Sequence, residues 1–264
     1  MKKLAGLLLC ALSLLCLKCS RSDKFPLTDL HIHLNGYYLD GAINKSRHEK
    51  IDYGILASAG LGYRIHSDIQ IDSFLLEMKK YPMFFVGIQA EGREWVTMFS
   101  QEYLKKLDYV VTDAMTFTDL KGRRNRLWIK EETWIEDEQQ FMEYLVNTIV
   151  DIMNNEPINI YVNPTYLPDP MSKRYDMFWT DERMDRVILA AVTKGIAIEI
   201  NNRYKIPSEK FIKKAKASGA KFTIGTNNYS YSFTGAEYAR KMIKNCKLNE
   251  SDFYLPATRN GVNR

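Results

Sequence analysis

Past residue 19 the chain has one cysteine, Cys246, because the other three, Cys10, Cys16 and Cys19, sit at its start. A disulfide within the body is therefore excluded, whatever the redox compartment. After the first apolar stretch no run is long enough to span a bilayer, and no low-complexity tract interrupts the chain. An excess of one charge is lacking too. The formal net charge is +5, part of it from the leading lysines, which gives nucleic acid no footing. There is no serine in a nucleophile elbow and no glycine-rich phosphate loop, and Cys246 falls in a late amphipathic segment. Covalent catalysis by serine or cysteine therefore has no candidate.

What opens the chain is MKKLAGLLLCALSLLCLKCS, a Lys-Lys pair and an apolar run from Leu4 to Leu17 that is too short to cross a bilayer as a helix. This pattern predicts an export signal over residues 1–19, which leaves residues 20–264 as one domain. Cys19, followed by Ser20, Arg21 and Ser22, resembles the lipidated cysteine of a bacterial lipoprotein, although Lys18 stands where a small residue is expected. Ordinary cleavage to a soluble periplasmic protein is the alternative, and both stay open.

Seven short apolar or β-branched runs follow: FPLTDLHIH, KIDYGILAS, MFFVGIQAE, LDYVVTDAM, INIYVNPT, IAIEINN and KFTIGTNN. Near-continuous hydrophobicity of this kind belongs to strands buried on both faces, as in a parallel sheet covered by helices. Amphipathic segments separate several of the runs: IDSFLLEMKKY, EWVTMFSQEYLKK, EDEQQFMEYLVNTIVDIMNN, DERMDRVILAAVTKG and IPSEKFIKKAKASG. Thr180 and Ser208 are the expected caps of the last two, and Gly195 and Gly219 their stops. Alternating strand and helix at this spacing predicts an α/β fold, either a doubly wound sheet or a βα barrel. The barrel is favoured because the runs end in polar residues: His31 and His33, Ser58, Glu91, Asp113, Asn163, Asn201 with Asn202, and Asn227 with Asn228. Barrel active sites sit at the C-terminal ends of strands, so these side chains would share one mouth.

His31 and His33, one residue apart in TDLHIHLNG, would point to the same side of a strand and reach a single ion. The stretch Asp29-Leu30-His31-Ile32-His33 resembles the D-x-H-x-H opening of the PHP (polymerase and histidinol phosphatase) family, and Asp40-Gly41 its following acidic turn. Glu91 stands where that family has a bridging glutamate. Leu107 to Val111, Ala197 to Asn201 and Lys216 to Asn228 are similar to three later family segments, in the same order. The resemblance covers nearly the whole mature chain and implies a distorted seven-stranded βα barrel that binds up to three metal ions.

Where the family has Thr-Asp-His, this chain has Ser58, Ala59 and Gly60. Ser-Val-His becomes Asp113, Ala114 and Met115, His-Pro becomes Asn163-Pro164, and Ser-Asp-Ala-His becomes Thr226, Asn227, Asn228 and Tyr229. Amide oxygen is a far weaker ligand than imidazole or carboxylate. The resemblance therefore implies at most one divalent ion, zinc, manganese or iron, held by His31, His33 and Glu91 with weak help from Asn227. A lone ion can polarise an oxygen or lower the pKa of bound water, but it cannot clamp attacking and leaving oxygens together.

Asp113 is the candidate general base, with Glu199 next. Arg93, Arg203 and Lys205, together with the amides of Asn163, Asn201 and Asn228, are the candidate substrate-binding groups, suited to an anionic or polyhydroxylated ligand. KGRRNRLWIK, residues 121–130, is either a basic loop over the mouth or a solvated loop paired with the acidic EETWIEDE that follows. Trp95, Trp128, Trp134 and Trp179 are candidates for stacking on a sugar or for ordinary packing. His48 and His66 are expected at the surface.

Two functions are compatible with these residues. One is an exported PHP-like hydrolase with one remaining metal, acting on a phosphorylated or other anionic small molecule. The other is a catalytically silent PHP-like barrel that binds a sugar or anionic ligand at the cell envelope. In both the partner is a small molecule, not nucleic acid, and membrane contact comes only through a lipidated N-terminus.

Overall fold

The structure, a computed structural model, describes residues 27–34, 36–229 and 235–263. The expected export signal and Cys19 lie outside the described residues. Each apolar run supplies a strand. In chain order the elements begin β1 (Leu27–Ile32), α1 (Gly36–Glu49), β2 (Ile51–Gly60), α2 (Asp68–Met78), β3 (Phe85–Glu91), α3 (Gln101–Leu104) and β4 (Tyr109–Thr112). A hairpin of β5 (Thr116–Thr118) and β6 (Arg124–Arg126) follows, then α4 (Glu138–Asn155), β7 (Ile160–Tyr161), α5 (Tyr175–Phe178) and α6 (Asp181–Lys194). The chain continues through β8 (Ala197–Asn201), α7 (Glu209–Ala217), β9 (Phe222–Gly225) and α8 (Glu237–Asn245) to a second hairpin, β10 (Thr258–Arg259) and β11 (Val262–Asn263).

Seven strands pair in parallel in the order β1-β2-β3-β4-β7-β8-β9 and close as a barrel where β9 returns to β1. The α/β barrel expected from the sequence is thus the fold observed. Every residue of β3, FVGIQAE, is buried, because one face looks into the barrel and the other is covered by helices. The apolar core is correspondingly split by the barrel wall. Leu30, Leu56, Phe85, Tyr109, Val111, Ile160, Val162 and Ala197 fill the interior floor, and a larger cluster lies between strands and helices.

α4 shows why the helices settle where they do. Its buried residues, Phe141, Met142, Leu145, Val146, Ile149, Ile152 and Met153, recur at helical spacing, and the Asp137 side chain accepts from the Gln140 amide at 2.8 Å to cap its start. Thr180 and Ser208 cap α6 and α7 as expected, accepting from the amides of Arg183 and Phe211. Gly195 ends α6 at a left-handed φ of 67°. The segment 94–106 departs from its expected single helix. Trp95 turns inward to donate to Glu156, and Ser100 caps a new turn, so the segment divides into a 3-10 turn and the short α3.

Two features position the site. β1 gains one residue against β2 between Asp29 and Ile32, and this bulge lets the neighbours Leu30 and His31 both face the interior. At the opposite end of the barrel, Asp108 accepts from Val86 N (2.8 Å), Thr258 Oγ1 (2.6 Å), Asn260 N (2.6 Å) and Gly261 N (3.1 Å), pinning the C-terminal hairpin to the floor.

Candidate functional site at the barrel mouth

Inward-facing residues at the C-terminal strand ends form a closed circuit of hydrogen bonds. His31 Nδ1 donates to Glu199 Oε1 at 2.6 Å, and His31 Nε2 donates to Gln89 Oε1 at 2.9 Å. Gln89 Nε2 then donates to Asp113 Oδ2 (3.3 Å) and to Glu91 Oε1 (3.1 Å). Asn163 Nδ2 reaches the same Asp113 oxygen at 2.7 Å, while Asn201 Nδ2 donates to Asn163 Oδ1 and Glu199 Oε2, both at 3.0 Å. Glu199 Oε2 also accepts the Asn163 amide at 2.7 Å. With the Gln89 amide nitrogen turned to Glu91 and Asp113, its oxygen faces His31, and in this orientation both His31 nitrogens carry hydrogen-bond partners.

Electrostatics agree with that assignment. Burial disfavours charge on His31, but Glu199, with Asp29 and Asp113 beyond it, outweighs burial and holds its pKa above the usual imidazole value. Burial raises Asp113 against the hydrogen bonds from Asn163 and Met115. Burial, with the neighbouring Asp113 charge, carries Glu91 up to about 8 against the Thr116 hydroxyl. Asp29 is raised to about 7 by burial, although Thr226 and the His31 amide donate to it. His33 moves the other way, to about 3, because it is buried beside the His31 charge.

The expected metal set is not assembled. His31 and His33 do lie together, their rings edge to face at 5.1 Å. However, both His31 nitrogens are taken by Glu199 and Gln89, and Glu91 turns to Gln89 and to Thr116 Oγ1 at 3.0 Å. What remains is His33, whose two buried nitrogens lack a hydrogen bond beside Gln89 and the Leu56 backbone, and Asn227, whose buried Oδ1 also lacks one. One imidazole and one amide are a poor donor set for a divalent ion. Among the described residues no group of three or more His, Cys, Asp or Glu side chains has the arrangement of a metal site. The residues present therefore do not fit zinc, manganese or iron as the resemblance implied. Asp40 is removed as well, lying on the exposed face of α1.

Above the circuit opens a cavity of about 430 Å³, lined by Gln89, Glu91, Asp113, Asn163, Arg203 and Asn227 among others. The other candidate ligand-binding residues fall elsewhere. Arg93 does not line the cavity: it donates to Glu156 (2.6 Å), Thr112 Oγ1 (3.0 Å) and the Asp113 carbonyl (2.8 Å), bracing β4 from outside. Lys205, at φ 55°, lines a neighbouring cleft. Asn228 is not among the residues lining the cavity and donates to Thr226 Oγ1 at 2.7 Å. Asn201 and Glu199 are fully enclosed, so Glu199 holds His31 and Asn163 in place and has no route to a ligand. Within the basic run, Lys121, Arg123 and Arg126 pair with Glu136 and Glu132 of the acidic stretch that follows, while Arg123 also meets Asp119 and Arg124 pairs with Glu94 outside it. Only Arg126, paired with Glu132, reaches the mouth. Trp128 also lines it, whereas Trp95 and Trp179 are buried and Trp134 packs under Arg123.

Sequence reasoning missed Gln89, Tyr63 and Tyr204 and gave Tyr229 no role, although all four line the mouth. Gln89 carried a signal, since it shares the inward face of β3 with Glu91 two residues on. Tyr229 stacks flat on His33 at 4.5 Å, and Tyr204 and Tyr229 flank the Arg203 guanidinium at 5.9 and 5.6 Å.

No family model matches the chain, and no curated protein does. Among solved structures, a histidinol phosphate phosphatase from Lactococcus lactis subsp. lactis, complexed with zinc, L-histidinol and phosphate, superposes with a TM-score of 0.57 at 13% identity. The match covers 90% of this chain and 99% of that one, and it is a likeness of fold.

Proposed function

We propose that this PHP-like barrel binds an anionic, hydroxyl-bearing small molecule at its mouth without a metal centre. The observation that carries this reading is that both His31 nitrogens are occupied, one by Glu199 and the other by Gln89. Held between Glu199 and Gln89, His31 has neither nitrogen open to a metal, and the neighbouring Glu199 carboxylate favours its charged form. The walls suit a polar ligand. Arg203 and Arg126 offer guanidinium groups, Asn163 and Asn227 offer amides that donate and accept at once, and Trp128, Tyr204 and Tyr229 offer flat faces. Export and residence at the bacterial envelope belong to the same proposal, and they rest on the N-terminal sequence alone.

A second reading, a metal-dependent hydrolase, is favoured by the unpartnered nitrogens of His33 and by the zinc in the Lactococcus enzyme. Elemental analysis after incubation with zinc, manganese or iron(II) separates the two. We expect far less than one ion per chain; stoichiometric metal that disappears in a His31→Ala/His33→Ala variant would overturn the metal-free reading. Fractionation of cells carrying Cys19→Ser tests the anchor: transfer from membrane to soluble fraction supports lipidation, whereas wild-type protein already soluble supports ordinary cleavage.

A further inference from the structure

The mouth does not end at its own rim. Arg203 and Tyr204, just past β8, line the mouth on one side and a cleft of about 550 Å³ on the other. Trp128 joins the mouth in the same way to a cleft of about 670 Å³, and Tyr166 and Asp169 line both outer clefts. The three spaces therefore share wall residues and lie side by side around the top of the barrel, an arrangement we read as one trough. Any one of them already has the size of an ordinary small-molecule pocket, roughly 300–1,000 Å³.

We propose that the trough holds an elongated acidic oligosaccharide, with one sugar unit at the mouth and further units in the outer clefts. This deepens the preceding proposal and rests on its claim that the mouth binds a hydroxyl-bearing anion. A compact phosphorylated metabolite would use the mouth alone and leave the flanking clefts without a role.

Two sets of residues identify the chemistry. The first is aromatic: Tyr166 meets Tyr204 edge to face at 4.8 Å where the mouth passes into the first cleft, and Trp128 stands 38% exposed at the passage to the second. The apolar C–H faces of a pyranose stack on such rings while its hydroxyls meet amides, and the rings recur along the trough as a chain of sugars would require. The second set is cationic. Arg203, steadied by its bond to the Asn227 carbonyl at 3.3 Å, and Lys205 have no carboxylate partner among the described residues. Arg126 and Arg174, by contrast, are matched by Glu132 and Glu138. Arg203 and Lys205, two residues apart, both line the first cleft, and Lys130 of the second cleft is likewise without a carboxylate partner among the described residues, so carboxylates on the sugar chain would meet them.

The test is calorimetric titration of the full mature protein with galacturonic acid and its linear dimer and trimer, beside a hexaglutamate peptide of comparable charge. The trimer should bind about tenfold or more tightly than the monomer. Lys205→Asn, chosen because Asn tolerates the left-handed backbone at φ 55°, and Tyr166→Ala should each reduce trimer affinity several-fold and change monomer affinity far less. Equal affinity for monomer and trimer would end the trough proposal while the mouth reading stood. Hexaglutamate binding as tightly as the trimer would show that charge alone is recognised, and no binding by any uronate would overturn the sugar class. Stoichiometric metal in the protein would instead remove the underlying mouth reading, whatever the length series showed.

Discussion

Gly225 lies on β9 beside Asn201 of β8, and a Cβ there would run into the Glu199 carboxylate and the Cβ of His31. The His31–Glu199 pair therefore depends on a residue with no side chain. Gly225→Ala should cost about 1–3 kcal/mol by overpacking, measured by urea denaturation, and should also move the His31 imidazole resonances. A second residue-scale prediction follows from the buried acids. Asp29 holds its proton to about 7 and Glu91 to about 8 in the folded chain, while the unfolded chain releases both near 4. His31 likewise has its pKa held above 6.5, whereas His33 acts in the opposite sense mainly below 6.5, with a contribution that fades as pH rises further. Between pH 6.5 and 8.5 the folded state thus binds more protons than the unfolded one, and stability should fall as pH rises. Glu91→Gln should shrink that fall. A stability that is flat or rising over this window would show that these carboxyl groups ionise freely.

At the scale of the element, backbone geometry sets the expected effects. Gly195 closes α6 in the left-handed region, so Gly195→Ala should cost about 1 kcal/mol in urea denaturation while leaving any mouth ligand's affinity unchanged. The elements were largely legible in the sequence. All seven runs are barrel strands, and the caps Thr180 and Ser208 and the stop Gly195 stand where local chemistry placed them, because each acts within one turn of its own helix. The segment 94–106 was not legible, since Glu156, which draws Trp95 inward, lies 61 residues away in sequence. The site was legible to the same depth. Alternation identified which residues end strands, but Gln89 rather than Glu91 meets His31 because of a one-residue bulge in β1, and no local pattern announces it.

For the whole molecule, closure at the floor complements closure of the hydrogen-bond circuit above. Asp108 collects four donors, three from the C-terminal hairpin, and Arg259 adds a pair with Asp52 at 2.6 Å. Deleting residues 257–264 should lower stability by about 2 kcal/mol or more, read from the urea midpoint, with Asp108→Ala showing most of the same loss. β1 also begins at this floor, so the segment preceding Leu27 and the hairpin near the end of the chain both attach on the side away from the mouth. A protein fastened to a bead, a sensor chip or a cell surface through either extremity would keep its opening turned toward the surrounding fluid, free to meet long molecules arriving from outside.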